Sequence, residues 1–252
     1  MSFNVAATAY DRFMGRFSRP LSIEFADWLD LGAGQLALDV GCGPGALTEV
    51  LADRLGAASV TAVDPSEPFV AAARERLPGV TVIQASAESL PFEDATFDRA
   101  LAQLVVHFMS DPAMGVGELR RVTRAGGVVA VNVWDFEGGR APQSTFFRAL
   151  LMVMPDADDE VARAGARRGE LAALLDQAGC RDIEVAELEV TVTSPTFEEW
   201  WEPYTLGVGP AGAQLARLDE ERHRAVRERC RELLGDGPIL STATAWAAKG
   251  GR

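Results

Sequence analysis

The segment LDVGCGPGAL, residues 38–47, runs from a short apolar strand through a glycine-rich turn and straight into a helix. Because glycine has no Cβ, Gly41 and Gly43 can adopt positive φ and bring the backbone close to a ligand. The helix that begins after the turn offers free N–H groups and a partial positive charge to an anionic group. The same glycines would also fit a plain tight connection between a strand and a helix, so the surrounding sequence has to decide.

Two acidic residues favour a binding loop. Asp64 follows the second predicted strand, 21 residues after Gly43, and an acid in this place accepts hydrogen bonds from ribose hydroxyls in nucleotide-binding α/β folds. The dinucleotide pattern G-x-G-x-x-G ends here at Ala46, which its Gly/Ala variant permits, so the pattern leaves NAD open. It does not explain Asp39, an acid inside the first apolar strand. We predict a nucleotide-type cofactor at this turn.

Short apolar runs alternate with helical patterns along the first half of the chain, which is typical of βαβ units and a parallel sheet covered on both faces. The predicted strands are 36–40, 59–63, 80–84, 99–102, 128–134, 183–192 and 239–247. The predicted helices are 21–31, 47–55, 69–77, 114–123, 143–154, 169–178 and 219–234, and 196–204 is an aromatic-rich stretch whose aromatic residues recur at helical spacing. We predict one α/β domain over 1–252, a doubly wound, mostly parallel seven-stranded sheet with helices on both faces and helical insertions.

The charge balance restricts the possible partners. The chain has 24 Lys and Arg against 37 Asp and Glu, a net charge of −13, so we expect no nucleic-acid partner and no polybasic membrane contact. Much of the acid lies in 156–160 and 219–234, which we interpret as solvated surface that serves solubility. The N-terminus lacks the apolar core of a signal peptide and no apolar run is long enough for a membrane span, so a cytoplasmic protein is expected.

Cysteines, histidines and lysines are too few for several kinds of chemistry. Cys42, Cys180 and Cys230 are too scattered for a zinc site or a disulfide framework, and the chain has two histidines. We therefore expect no metal. Lys249 is the only lysine in the sequence, which argues against Schiff-base chemistry.

Several motifs together resemble one family. LDVGCGPG (38–45) is similar to the first motif of class I S-adenosylmethionine-dependent methyltransferases, VDPS (63–66) to the second, and QASAESLPF (84–92) to the third. YDRFMGRFSRP (10–20) resembles the N-terminal segment that covers the cofactor in the ubiquinone/menaquinone-biosynthesis-type branch, methyltransferase type 11. Further similar stretches extend the resemblance over most of the chain, at 121–127, 200–203 and 245–250.

The resemblance implies a Rossmann-like fold, S-adenosylmethionine (SAM) as cofactor and S-adenosylhomocysteine (SAH) as product. It implies covering helices in 1–35, a nucleotide-binding core in 36–134, substrate-side insertions around a late strand in 135–235, and a final strand in 236–252. The activity implied is transfer of a methyl group to an O, N or C nucleophile of a small-molecule acceptor.

The resemblance also implies which residues contact the adenosine end of the cofactor. Asp64 would bind both ribose hydroxyls, Pro65 would flank the adenine, and Ala87 would offer its backbone N–H to an adenine ring nitrogen. Ser86 stands where the family usually has an acid that accepts from the adenine amino group. This departure implies a weaker adenine contact, unless Glu88 compensates.

The contacts implied around the methionine end and the ribose come from Asp39, Gly41, Gly43 and Gln103. Asp39 would support the ammonium group from beneath the loop, and Gln103 would line the methionine side. Tyr10 and Arg19 would close over the cofactor, with Arg19 as the partner of a carboxylate.

Methyl transfer from a sulfonium is an in-line displacement, so alignment in a water-excluded pocket is the main task of the protein. A base is required only where the acceptor must lose a proton. His107 is the candidate base, or else a satisfied residue at a strand end; Asp135 could position a substrate hydroxyl or cap the following turn. The aromatic residues that could wall a substrate pocket, or belong to the core, are Trp134, Trp200, Trp201 and Tyr204.

Two other functions stay open on sequence grounds. An NAD(P)-linked oxidoreductase would share the glycine turn and the ribose acid, but it calls for a catalytic tyrosine–lysine or serine pair. The tyrosines are Tyr10 and Tyr204, and Lys249 is close to the end of the sequence. A non-catalytic SAM-binding protein also stays open, because Ser86 replaces the acid that the family usually has at the adenine amino group. No motif specifies the acceptor or decides between a monomer and a homodimer.

Overall fold

A computed structural model describes residues 7–252. Within this range the chain forms a seven-stranded sheet in the order β3-β2-β1-β4-β5-β7-β6. β1 to β5 pair in parallel, and β7 lies antiparallel between β5 and β6. The strands are β1 (Ala37–Val40), β2 (Val60–Asp64), β3 (Thr81–Gln84), β4 (Phe97–Gln103), β5 (Thr123–Trp134), β6 (Arg181–Ser194) and β7 (Ile239–Gly251). The predicted doubly wound, Rossmann-like α/β fold is confirmed.

Helices flank the sheet and supply the extra segments beyond it. They are α1 (Ala7–Tyr10), α2 (Arg16–Trp28), α3 (Ala46–Leu55), α4 (Glu67–Arg76), α5 (Pro112–Val122), α6 (Ser144–Val153), α7 (Glu170–Gln177), α8 (Phe197–Trp201), α9 (Gly209–Leu215) and α10 (Glu220–Leu234). A π-helical turn joins α1 to α2, and 3-10 turns occur at Ala57–Ser59, Val106–Phe108 and Glu202–Leu206. No helix in this part of the chain combines the length and the apolar character that crossing a bilayer requires.

The strand order reverses at β1, which pairs with β2 on one side and with β4 on the other. All four residues of β1 are buried, as expected for a parallel strand covered on both faces. In open α/β sheets a reversal of strand order leaves a crevice at the carboxyl ends of the strands, where ligands bind. The fold therefore places the ends of β1, β2 and β4 around the same opening.

The N-terminal helices begin earlier than predicted. In place of one helix over 21–31, helical structure runs from Ala7 to Trp28, with the π-helical turn Asp11–Gly15 in its middle. Phe17, Leu21 and Phe25 recur at helical spacing on α2 and are buried. α2 packs against α3 and β6, so this segment is fixed on the body of the domain.

Element boundaries also differ in the second half. The aromatic-rich stretch 196–204 forms α8, which ends at Trp201 and continues as a 3-10 turn, because Pro203 has no N–H to extend the α-helical pattern. α9 was not predicted, since its sequence GPAGAQL is dominated by small residues without an apolar period. β6 and β7 are longer than predicted because they pair with each other almost end to end.

Candidate active site

A cavity opens at the carboxyl ends of β1, β2 and β4. It holds about 740 Å³ of empty space, including the part open to solvent, and small-molecule sites usually hold roughly 300–1,000 Å³. We call it the glycine-loop cavity. The predicted cofactor-binding residues that line it are Tyr10, Asp39, Gly41, Gly43, Asp64, Pro65 and Gln103. Most of the residues implied by the resemblance thus surround one space.

The glycine turn has the backbone that the sequence predicted. Gly41 has φ +74° and Gly43 has φ +54°, both in the region that favours glycine. A Cβ added at Gly43 would meet no atom within 4 Å, whereas one added at Gly41 would lie 2.4 Å from the Val105 side chain. Gly43 is therefore the position where the backbone can come close to a ligand. At Gly41 the missing side chain makes room for Val105.

Asp64 ties the glycine turn to the start of α4. One carboxylate oxygen accepts from the Gly43 N–H at 2.9 Å, and the other accepts from the Ser66 N–H at 2.8 Å. Burial raises the pKa of Asp64 above its usual value, and these two hydrogen bonds oppose that shift. Each oxygen can accept a further hydrogen bond, so Asp64 can hold ligand hydroxyls without giving up its structural contacts.

Asp39 is a buried carboxyl group beneath the same turn. Its side chain accepts from Thr48 Oγ1 at 2.6 Å, and the residue is 1% exposed. Burial raises the pKa of Asp39 to about 7, against the lowering effect of the Thr48 hydrogen bond. A cationic ligand group would favour the charged form. Sequence reasoning missed Thr48, although a hydroxyl on a buried helix face beside the turn was a usable signal.

Gln103 connects α2 to β4 and carries a polar atom that residues 7–252 leave without a partner. Its Nε2 donates to the Ser22 hydroxyl at 2.7 Å and to the Ser18 carbonyl at 3.1 Å, which links α2 to the end of β4. Its Oε1 is buried and has no hydrogen-bond partner within residues 7–252. Buried polar atoms are normally paired, so this oxygen fits a ligand donor such as an ammonium group.

The two residues predicted to cover the cofactor behave differently. Tyr10 lines the cavity, its ring edge-on to Phe69 with a centroid distance of 5.4 Å. Arg19 does not line it: the guanidinium pairs with Asp11 at 2.8 Å, and 46% of its side chain is exposed. The role of Arg19 as a cofactor carboxylate partner has no support in this geometry, because a nearby aspartate already holds its charge.

Ser86 and Ala87 are not among the residues that line the glycine-loop cavity, so their adenine contacts stay predictions. The Ser86 hydroxyl donates to the Glu88 carboxylate, which also accepts from the Ser110 N–H at 2.7 Å. Burial would raise the pKa of Glu88, but these hydrogen bonds bring it below its usual value. Ser86 and Glu88 therefore satisfy each other, and nothing in this arrangement shows Glu88 replacing the missing acid.

A second cavity, with about 430 Å³ of empty space including the part open to solvent, adjoins the first, and both are lined by Tyr10, Leu104 and Phe108. We call it the Glu160 cavity. Its other lining residues include Phe13, Met14, His107, Trp134, Gln143, Glu160, Val208 and Pro210. Glu160 was predicted as part of a solvated acidic run, yet it is 2% exposed. Its neighbours Asp156 and Asp158 are exposed, so sequence context alone carried no signal for its burial.

His107 lies in the Glu160 cavity, within a 3-10 turn after β4. Its Nδ1 is buried without a hydrogen-bond partner in the described part of the chain. Burial, with a smaller effect of Arg163, lowers the pKa of His107 to about 3. The imidazole is therefore neutral at neutral pH and a weak proton acceptor, which argues against the predicted role as general base.

Asp135 lines neither of these cavities. Its carboxylate accepts from the Gly138 N–H at 2.8 Å and from Arg140 Nε at 2.5 Å. These contacts are those of a residue that caps the turn after β5. They match the predicted alternative of a turn cap, and a substrate-positioning role for Asp135 stays a prediction.

The aromatic residues divide between cavity and core. Trp134 lines the Glu160 cavity. Tyr204 stacks on Phe146 with ring centroids 4.7 Å apart and lies 4.9 Å from Trp200, and all three are buried. Trp200, Trp201 and Tyr204 thus belong to an aromatic core that supports the cavity wall from behind.

Together these features define a class. A doubly wound sheet, a positive-φ glycine turn at the strand reversal, and an acid that closes β2 are the parts of a nucleotide-cofactor-binding α/β protein. The unsatisfied Gln103 oxygen and the buried Asp39 add a place for a cationic group beside the nucleotide position. Residues 7–252 contain no group of three or more His, Cys, Asp or Glu side chains placed to hold a metal ion.

Comparisons with known proteins identify the family. A family model described as a methyltransferase domain matches residues 38–131. A Mycobacterium bovis protein described as an uncharacterized methyltransferase is 37% identical over 135 residues, which cover 54% of this chain and 52% of the relative. A malonyl-[acyl-carrier protein] O-methyltransferase of Geobacter sulfurreducens is 30% identical over 207 residues, 78% of this chain and 76% of the relative.

The crystal structure of the YcgJ protein from Bacillus subtilis has the same fold, with a TM-score of 0.61 at 19% identity over 92% of this chain and 98% of that one. The chain belongs to the class I SAM-dependent methyltransferases, in the type 11 branch. The match spans about half the length of the Mycobacterium relative.

Proposed function

We propose that this chain transfers a methyl group from SAM to a small-molecule acceptor. The observation that carries the proposal is the wall of Tyr10, Leu104 and Phe108, which the glycine-loop cavity and the Glu160 cavity share. Such an arrangement lets a nucleotide cofactor and an apolar acceptor meet away from water. The name of the Geobacter relative, an O-methyltransferase, supports an oxygen nucleophile.

The residues of the glycine-loop cavity fit the cofactor. Asp64 would accept from the ribose hydroxyls, Pro65 would flank the adenine, and Gly43 would allow close approach. The unpartnered Gln103 Oε1 and the buried Asp39 would hold the methionine ammonium group. When bound, SAM supplies an electrophilic methyl carbon and a neutral thioether leaving group.

The protein contributes orientation and exclusion of water. Tyr10 and the α2 segment close one side of the glycine-loop cavity, and the hydrogen bonds from Gln103 to α2 hold that cover in place. A dry, pre-formed approach path supplies most of the rate enhancement that a displacement of this type needs.

The competing oxidoreductase function finds no support in the geometry. Lys249 Nζ donates to the Trp28 carbonyl and pairs with Glu184, and its strand position is opposite Ala130, away from the carboxyl end of β5. Tyr204 lies in the aromatic core. A non-catalytic SAM-binding protein differs from our proposal only in turnover.

Thermal shift and turnover together test the proposal. We expect SAH to raise the melting temperature of the wild type and NADH to leave it unchanged. Asp64→Ala should lose the SAH effect, while Glu75→Ala, an exposed carboxylate on α4, should keep it. Stabilisation by NADH alone, or an Asp64→Ala variant that binds SAH as tightly as the wild type, would refute the cofactor assignment. SAH release with a panel of phenols, quinols and amines separates an enzyme from a binding protein.

A further inference from the structure

Three residues that line the Glu160 cavity carry a buried polar atom with no hydrogen-bond partner in residues 7–252. These atoms are His107 Nδ1, Trp134 Nε1 and Gln143 Oε1. Unpaired buried polar atoms are destabilising and few in native proteins. Their occurrence around one cavity indicates a site for a ligand with a polar group.

Glu160 provides the charged group in this cavity. Gln143 Nε2 donates to Glu160 Oε2 at 2.6 Å, so the amide nitrogen of Gln143 is used while its carbonyl oxygen is left unpaired. Arg163 Nε lies 3.6 Å from Glu160 Oε1. The carboxylate is therefore oriented on one side by an amide and faced on the other by a guanidinium.

The surroundings of this carboxylate favour a neutral ligand. The remaining walls are largely apolar, with Phe13, Met14 and Val208 among the lining residues. Because Arg163 already offsets the charge of Glu160, a cationic acceptor would meet a guanidinium as well as a carboxylate. A neutral molecule with one hydrogen-bond donor fits both the apolar walls and the acceptor atoms of Glu160 and Gln143.

We propose, resting on the methyltransferase function proposed above, that the Glu160 cavity binds a neutral, largely apolar acceptor whose hydroxyl group donates to the Glu160 carboxylate. On transfer, the O–H bond breaks and its proton passes to Glu160. The oxygen forms a bond to the methyl carbon, and the electron pair of the broken C–S bond stays on sulfur. Glu160, not His107, is then the proton acceptor of the reaction.

The pH range of this step follows from the environment of Glu160. Burial raises the pKa of Glu160 to about 7, opposed by the Gln143 hydrogen bond and by Arg163. The carboxylate form, which accepts the stronger hydrogen bond, therefore becomes dominant between pH 6 and pH 8. The other charged or titratable groups around Glu160 or lining the adjacent cavities are Tyr10, His107, Arg148, Asp158 and Asp159.

Binding of 2-naphthol to the SAH-saturated protein tests the proposal without relying on turnover. We expect affinity for 2-naphthol to rise from pH 6 to pH 8 in the wild type, and to be about tenfold weaker and independent of pH in Glu160→Gln. The isosteric amide keeps an oxygen for Gln143, so the fold is retained. Asp156→Asn, which removes an exposed carboxylate of the same segment, should behave as the wild type, and 2-methoxynaphthalene, which has no O–H, should bind the wild type and Glu160→Gln equally.

Equal 2-naphthol affinity and equal pH profiles in the wild type and Glu160→Gln, both saturated with SAH, would overturn the proposal. So would the absence of 2-naphthol binding to the SAH-loaded wild type. If the wild type fails to bind SAH at all, the methyltransferase function itself is wrong, which distinguishes the two failures.

Discussion

The glycine-loop cavity and the Glu160 cavity share a wall but hold their polar groups in different ways. In the first, Asp64 is fixed by two backbone N–H groups and Asp39 by the Thr48 hydroxyl. In the second, Glu160 is oriented by the Gln143 amide and faced by Arg163, and neighbouring polar atoms such as Trp134 Nε1 have no hydrogen-bond partner within residues 7–252. In the first cavity the fold holds both carboxyl groups and leaves Gln103 Oε1 for a ligand, while three such atoms, His107 Nδ1, Trp134 Nε1 and Gln143 Oε1, belong to residues that line the second.

The difference indicates separate roles for the two spaces. A site for a constant cofactor gains from donors and acceptors that the fold pre-arranges. A site for the variable acceptor is set by a few side chains on apolar walls, which can change without disturbing the sheet. If the comparison is correct, substitutions in the glycine turn should act on folding and cofactor binding, and substitutions around Glu160 on the acceptor.

The largest effect is expected from Gly41→Ala. The new Cβ would lie 2.4 Å from Val105 at φ +74°, so we expect a loss of about 3 kcal/mol in the free energy of unfolding from overpacking and backbone strain. Urea denaturation measures it. Gly34→Ala, with φ +82° and no atom within 4 Å of the new Cβ, should cost only about 1 kcal/mol. Equal losses in both variants would show that Val105 does not restrain the turn.

An intermediate effect on the free energy of unfolding is expected from the buried carboxyl groups of Asp39 and Glu160. The pKa of each is raised to about 7 in the folded protein, so the folded state holds protons that the unfolded state releases. The free energy of unfolding should therefore fall as pH rises from 5 to 8, by about 2 kcal/mol per group. Asp39→Asn and Glu160→Gln should each remove one such contribution, measured by urea denaturation across that range.

Binding of SAH should then distinguish the pH dependence contributed by Asp39 from that contributed by Glu160. SAH, through its ammonium group, should reduce the pH dependence that Asp39 contributes and leave the Glu160 contribution in place. A pH dependence of unfolding that neither substitution alters would contradict the account of both sites.

The smallest effect is expected from Asp135→Asn. The variant loses the ion pair with the partly exposed Arg140 but can keep the hydrogen bond from the Gly138 N–H, so we expect about 1 kcal/mol or less in the free energy of unfolding. Calorimetry should show unchanged binding of SAH and of 2-naphthol. A tenfold loss of affinity for either ligand would show that Asp135 takes part in ligand binding.

The glycine-loop cavity was largely predictable because its parts are local in sequence. Gly41, Gly43 and Asp64 belong to one βαβ unit, in which the order of strand, turn, helix and strand fixes their relative positions. Gln103 follows from the same rule, as the last residue of a strand beside β1. The resemblance to a family added roles for these residues.

The Glu160 cavity was not predictable in the same way. Its walls come from segments as far apart as Phe13 and Val208, and which side chains face inward depends on packing that no short motif encodes. Glu160 follows three acidic residues in the four positions 156–159, a pattern typical of solvated surface. The ion pair of Arg19 with Asp11 was not predictable for a related reason, since it forms only in the folded helical segment.

A crystal structure of the chain with SAH bound tests the central claim most directly. We expect the ribose hydroxyls within hydrogen-bond distance of Asp64, the ammonium group beside Gln103 Oε1, and the sulfur facing the wall that Tyr10, Leu104 and Phe108 provide to both cavities. SAH bound elsewhere, or with its sulfur directed away from the Glu160 cavity, would contradict a methyl transfer between these two sites.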